Sequence, residues 1–285
     1  MAHHRRPRGV PASGPPVPRP RRARRPGGPS DPRGRRRVEL IALGVGGSWS
    51  SRGGGTSGYL LRADGFNLVV DLGSGTLGRL QEVVPVSEVH AVLLTHAHPD
   101  HFVDLYPLFY ARYHGELGPP GLPLHAPTGL FDLAVALLSR ESREGMAVAF
   151  DVRGFAPGEA FEVGPFRVKS EQMEHLGIPA AGFRIEADDG VLAYSGDTGP
   201  TPALVRLAAG ADVLLSEATW QDDDDLKPFH LSARQAGEHA REAGVGRLVL
   251  THIWPTRDPE RSRAQAAEAY DGPIDVAVEG MRLEI

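Results

Sequence analysis

The stretch Thr95-His96-Ala97-His98-Pro99-Asp100-His101 follows directly on an apolar, strand-like run from Val89 to Leu94. Three imidazoles and a carboxylate thus fall within six residues at the end of a β-type segment. His96 and His98 are two apart, so in extended chain their side chains leave one face and can meet a single ion. Asp100 and His101 then turn toward a second position. A lone histidine is most often a surface or core residue, but four ligand-type residues at this spacing read as a metal-binding nucleus.

Further ligand-type residues stand where strands should end. His175 closes Phe166 to Glu174, Asp197 sits in Ser195-Gly196-Asp197-Thr198-Gly199 after the strand-like Val191 to Tyr194, and His252 ends Arg247 to Thr251. Each precedes turn-forming residues, and strand ends are where a rigid scaffold delivers side chains into a loop-built site. Nitrogen and oxygen donors without thiolate suit Zn²⁺, with Mn²⁺ or Fe²⁺ as alternatives. Two such divalent metal ions about 3.5–4 Å apart clamp the oxygens of an in-line displacement and lower the pKa of water to about 7, so no Ser or Cys nucleophile is needed.

In order, the HxHxDH motif, a later His, an Asp in Ser-Gly-Asp-Thr-Gly and the His in Leu-Thr-His-Ile resemble the metallo-β-lactamase superfamily over roughly residues 38 to 285. The resemblance implies an αββα sandwich with the site on one edge. It also implies His96, His98 and His175 on one metal, Asp100, His101 and His252 on the other, and Asp197 bridging both. Asp100 would orient the attacking water, and Asp71, in Val69-Val70-Asp71-Leu72-Gly73, would accept a hydrogen bond from a ligand imidazole.

The set Ser216-Glu217-Ala218-Thr219, His230-Leu231-Ser232 and Leu250-Thr251-His252 is similar to the phosphodiesterase branch of that superfamily, which includes RNase Z. Ser232 is an N-cap candidate for a helix to Ala243. A histidine at such an N-terminus can bind a phosphate oxygen or protonate a leaving alkoxide, with Glu217 orienting His230. Bacterial-type RNase Z carries a long tRNA-gripping arm between the ligands matching His175 and Asp197. Here 21 residues separate them, enough for two strands and a turn. The later motifs look like the atypical class II cyclic-nucleotide phosphodiesterases, which lack the arm. The expected activity is hydrolysis of a small phosphodiester such as a 3′,5′-cyclic nucleotide. An RNase Z-type tRNA 3′-end endonuclease is the first alternative, and an acyl hydrolase (lactamase, lactonase or thioesterase) the second.

Charge divides the chain. Residues 1–37 hold twelve arginines and one acid, a net +11, leaving −16 on the remainder. That segment is rich in Pro and Gly, without hydrophobic periodicity, and reads as a disordered tail rather than an exported leader. Nucleic-acid binding through the tail is physically open but not favoured, since the acidic body suits a tRNA poorly. The rest, residues 38–285, reads as one hydrolase domain, and 41% hydrophobic content suffices for its core. The absence of cysteine fits a reducing cytoplasm. No run approaches a membrane span, and a homo-oligomer is compatible with the chain.

Element order argues for α/β layers. Strands are expected at Val38–Leu43, Tyr59–Ala63, Asn67–Asp71, Val89–Leu94, Ala147–Val152, Ala160–Val163, Phe166–Ser170, Gly182–Ala187, Val191–Tyr194, Val213–Ser216, Arg247–Thr251 and Ile274–Val278. Helices are expected at Thr76–Val84, Phe102–His114, Leu130–Arg143, Pro202–Ala209, Ser232–Ala243 and Pro259–Tyr270, with a short strand inside the loop Gly118–Pro127. Gly53 to Gly58 fits G-x-G-x-x-G, yet a strand comes after it, which argues against a dinucleotide fingerprint. Asp222 to Asp225 reads as a solvated loop in preference to a cation site.

Overall fold

The computed structural model describes residues 38–188 and 190–285. The expected basic tail, residues 1–37, lies outside the described residues.

Seven strands form one sheet in the order β14-β1-β2-β3-β4-β5-β6. They are β1 (Glu39–Gly44), β2 (Gly58–Ala63), β3 (Phe66–Leu72), β4 (Ala91–Leu93), β5 (Leu122–Pro127), β6 (Phe150–Phe155) and β14 (Arg282–Glu284). The second sheet runs β13-β12-β11-β10-β9-β8-β7. It comprises β7 (Ala160–Val163), β8 (Phe166–Gln172), β9 (Ala181–Ala187), β10 (Gly190–Tyr194), β11 (Val213–Glu217), β12 (Leu248–Thr251) and β13 (Ile274–Val276). Helices α1 (Thr76–Val83), α2 (Pro99–Phe102), α3 (Leu105–Tyr113), α4 (Leu130–Ala136) and α5 (Arg140–Ala149) accompany the first sheet, and α6 (Pro202–Ala208), α7 (Ala233–Ala243) and α8 (Pro259–Ala267) the second.

Three separate apolar clusters show the layering. Leu40, Tyr59, Leu61 and Val70 meet Phe183, Ile185, Leu192 and Leu215 between the sheets. Their chain neighbours Ile41, Leu60 and Val69 point the other way, onto Leu80, Leu105 and Phe109. Leu214, Leu248 and Leu250 pack against Leu204, Leu207 and Ala236. Alternate residues of one strand therefore serve two cores, as the period of two requires, and the central strands such as β2, β3, β4, β11 and β12 read as nearly continuous apolar runs because helices cover their outer faces. The result is the expected αββα sandwich.

Within each sheet, β3 to β6 and β10 to β13 run parallel. Asp71 and Glu217 stand at the carboxyl ends of β3 and β11, and His96, His175, Asp197 and His252 follow β4, β8, β10 and β12, so the candidate residues gather at strand carboxyl ends, where α/β sheets place ligand crevices. Gly73 permits one of the closest approaches there: a β-carbon on it would lie 2.0 Å from the Asp100 carbonyl oxygen.

Several boundaries differ from expectation. The helix expected over Leu130–Arg143 is two helices, because Ser139 caps a new one by accepting from Ser142 N–H, and Leu137 between them is 85% exposed. That second helix takes Ala147 to Ala149, so the strand expected at Ala147–Val152 begins at Phe150, where pairing with β5 starts. Helix Phe102–His114 divides into α2 and α3 at Asp104, whose N–H donates to Leu72 O and whose carboxylate accepts from Leu77 N–H. Strand β14 was not expected; Met281, Leu283 and Ile285 alternate with Arg282 and Glu284 and pack on the inter-sheet core, but so short an alternation is a weak signal, and its identity comes from pairing with β1. Among the described residues no helix is long and apolar enough to cross a membrane.

Candidate metal centre

Every residue singled out for metal binding arrives at one place. Ligand atoms of His96, His98, His175 and Asp197 all lie within 4.8 Å of one another, as do those of Asp100, His101, Asp197 and His252. Asp197 belongs to both groups, and its two oxygens divide between them. Oδ2 faces His96 Nε2 at 3.7 Å and His175 Nε2 at 3.8 Å, while Oδ1 faces His101 Nε2 at 3.1 Å and His252 Nε2 at 3.3 Å. Asp100 Oδ2 lies 3.3 Å from His252 Nε2 and 3.8 Å from His101 Nε2.

Buried polar atoms normally have hydrogen-bond partners. His96 Nε2, His101 Nε2 and Asp197 Oδ1 are buried and have none. The charges agree. Burial pulls the His101 imidazole down, but Asp197, Asp71 and Asp100 together push it well above its ordinary range. Burial, with the His101 charge, instead holds His96 well below that range, and burial also depresses His98 and His175. Burial would raise the Asp197 carboxyl; the His101 and His252 imidazoles reverse this and hold it well below the carboxylate range. Depressed imidazoles at His96, His98 and His175 beside low-lying carboxyls at Asp100 and Asp197, with orphaned nitrogens converging on one carboxylate, fit divalent cations, which would replace the proton that the carboxylates draw onto His101.

A surrounding shell fixes which nitrogen each ring presents. Asp71 is fully buried at a left-handed φ of 56° and accepts from Thr95 N–H at 2.8 Å, Tyr194 Oη at 2.8 Å and His101 Nδ1 at 2.7 Å. Thr95 Oγ1 also donates to Asp71, so it can only accept from His96 Nδ1, 3.0 Å away. Both rings then turn Nε2 toward Asp197. The same logic recurs opposite: Thr219 Oγ1 donates to Glu217 Oε2 at 2.7 Å and accepts from His252 Nδ1 at 2.9 Å. His175 Nδ1 donates to Phe229 O at 2.8 Å. Such partners set ligand orientation and basicity.

Glu217 does more than its expected single task. Fully buried, it accepts from Thr198 N–H at 2.7 Å, Leu231 N–H at 3.2 Å and Thr219, and holds His230 Nδ1 at 2.8 Å. Burial lowers His230, but the charge and hydrogen bond of Glu217 outweigh it and raise the imidazole to about 9. The His230 ring centre lies 5.0 Å from that of His175 and 5.5 Å from that of His252. Ser232 caps α7 with a full capping box through Gln235. Thr95, Thr219 and Tyr194 carry no distinctive sequence signal; each is a hydroxyl at a strand end beside a ligand, a pattern too common to act on alone.

The other motifs resolve plainly. Strand β2 comes directly after Gly53 to Ser57. In the acidic run, Asp222 pairs with Arg234, Asp223 with Arg261, Asp224 with Arg257 and Asp225 with Lys227, so its charge is met by basic side chains.

Residues 67–253 match the model of the Beta-lactamase superfamily domain. An uncharacterized protein of Mycobacterium leprae is 38% identical over 257 residues, spanning 87% of this chain and 89% of its own length. Ribonuclease Z of Mycobacterium bovis is 30% identical, spanning 87% of this chain and 98% of its own. The crystal structure of the metallo-β-lactamase fold protein YhfI from Bacillus subtilis superposes with a TM-score of 0.80 at 26% identity, covering 87% of this chain and all of that one. With the His/Asp clusters at the strand ends, these likenesses place the chain in the metallo-β-lactamase superfamily, in its RNase Z-like branch, as a metal-dependent hydrolase.

Proposed function

We propose that this protein is a binuclear phosphodiesterase acting on a small phosphodiester, with a 3′,5′-cyclic nucleotide as its substrate class. The observation that carries this reading is the Glu217–His230 pair, set at 2.8 Å beside two site histidines. Acyl hydrolysis at the cation cluster alone would have no use for it.

His96, His98 and His175 would hold one divalent cation, Asp100, His101 and His252 the other, with Asp197 shared; Zn²⁺ suits the donor set best. Bound there, the cations supply Lewis acidity at a phosphoryl oxygen and a nucleophilic water at neutral pH. Asp100 Oδ2 accepts from Ser48 N–H at 2.8 Å, which fixes the carboxylate that orients that water. Glu217 takes His230 Nδ1 and leaves Nε2 to deliver a proton to the departing alkoxide, a role worth roughly 10²–10⁴-fold. Between His175 and Asp197 the described residues form a short loop and the strands β9 and β10, which favours a small substrate over a gripped tRNA.

The kinship with Ribonuclease Z keeps a tRNA 3′-end endonuclease as the second reading. Metal-loaded protein assayed on cyclic AMP, bis(p-nitrophenyl) phosphate, a β-lactam and a pre-tRNA separates the readings. Expected is turnover of the first two, with His230→Ala losing most activity on cyclic AMP and less on the p-nitrophenyl ester, whose leaving group needs little protonation. Cleavage of pre-tRNA without cyclic-nucleotide turnover would overturn the assignment.

A further inference from the structure

The chain has three tryptophans, Trp49, Trp220 and Trp254, and all three meet at one rim of the site. Trp220 lies 5.8 Å from His230, ring centre to ring centre, Trp254 lies 4.7 Å from Trp220, and Trp49 lies 5.3 Å from Trp254. The series starts at the proposed proton donor and ends in solvent. Trp220 is buried, whereas Trp49 is 42% exposed.

What sets Trp49 apart from other exposed apolar side chains is its place, continuous with Trp254 and Trp220 and carried by a loop that touches the site. Trp49 comes after Ser48, whose N–H holds Asp100, and Gly47 beside them packs so closely on His252 that a β-carbon would lie 2.5 Å from its carbonyl oxygen. The loop is therefore built onto the site. It is also braced: Trp254 Nε1 donates to Ser48 Oγ at 3.1 Å, and the Arg257 guanidinium, paired with Asp224, stands 5.7 Å over the Trp254 ring. A held indole loses little entropy when something flat settles on it.

We propose that Trp49, buttressed by Trp254, is the platform on which the substrate's nucleobase stacks while its phosphodiester lies at the histidine–aspartate cluster. The inference rests on the nucleotide reading of the site and adds a residue that sets specificity. Stacking reads the π-face of a base rather than its edge, so this platform selects for a base without dictating which.

The test compares cyclic AMP with the base-free 1-O-methylribose 3′,5′-cyclic phosphate in the wild type, W49A and W49F. Base–aromatic stacking predicts that the ratio of kcat/KM on cyclic AMP to that on the base-free ester falls on the order of tenfold in W49A, through KM rather than kcat, and largely recovers in W49F. An unchanged ratio in W49A would overturn the proposal while leaving the phosphodiesterase reading intact. Intrinsic fluorescence decides independently of turnover: adenosine 5′-monophosphate should quench wild-type tryptophan emission with an apparent Kd on the order of tenfold tighter than in W49A. If the wild type cleaves neither ester, the activity reading falls and the quenching alone decides, equal affinities in wild type and W49A overturning the platform.

Discussion

Asp71→Asn isolates the shell around the metal centre from the ligands themselves. The substitution keeps shape and removes charge, so its effect turns on how the hydrogen bonds are shared. Oδ1 serves Thr95 N–H, Oδ2 serves Tyr194 Oη and His101 Nδ1, and Thr95 Oγ1 reaches both. An amide has one oxygen for these four donors. With that oxygen toward Thr95, the NH₂ faces His101 Nδ1 and drives the ring to carry its proton on Nε2, the atom aimed at Asp197. Turned round, the NH₂ confronts Thr95 N–H, leaving a buried donor unpaired at a cost of about 1–3 kcal/mol. Expected is a stability loss near ~2 kcal/mol together with about 10–100-fold weaker metal binding, the usual range for disturbing a ligand's hydrogen-bond partner. Chelator competition reads the affinity and urea unfolding of the metal-loaded protein the stability. Wild-type values in both would refute the role assigned to Asp71.

Asp197→Ala removes both oxygens of the shared carboxylate; elemental analysis should fall from about two ions per chain to one or fewer, and a metal-free, fully active preparation would end the ligand assignment. His125 is buried and stacked 5.2 Å from Phe161, and burial first, then Arg153, pushes its imidazole down to about 4 from 6.5. Protonation on acidification therefore favours the unfolded chain: the stability His125 supports is complete above pH 6.5 and declines toward pH 4, by up to about 1.4 kcal/mol per pH unit. His125→Leu should flatten that part of the urea-midpoint profile, and parallel profiles would refute it. Deleting residues 1–37 should leave thermal stability and small-substrate kinetics unchanged, whereas a large fall would show that the segment packs on the domain.

Much of the site was legible because its chemistry is local. His96 to His101 lie within six residues, and His175, Asp197 and His252 each end a strand-like run, so composition and periodicity marked them together. Glu217 was legible as the acid that orients His230, but not as the hub of a buried network. Its weight comes from Thr198, Thr219, Leu231 and His230 converging on two oxygens, and convergence is a property of the fold. The tryptophan rim was invisible for the same reason: Trp49 and Trp254 are 205 positions apart, and neither stands in a motif. Helix α5 eluded the pattern because Ser139 stops one helix and starts another inside a single apolar stretch.

The shared carboxylate has a mechanical consequence. The first sheet contributes the segment after β4, and the second contributes His175, Asp197 and His252, so a cation seated on Asp197 would add a tether between two layers that side-chain packing and a few hydrogen bonds, such as Tyr194 to Asp71 and Ala181 N–H to Thr95 O, already join. Asp100 and His252 are 152 positions apart, and the chain has no cysteine with which to make such a link covalently. Unlike a disulfide, a cation released on unfolding leaves the unfolded chain unconstrained and stabilises the folded one by mass action, about 2.7 kcal/mol at a hundred times its Kd. With a cation so held, the resistance of this molecule to unfolding would be set partly by the metal activity of its surroundings. Two samples of identical sequence, one kept with chelator, would present different targets to a protease.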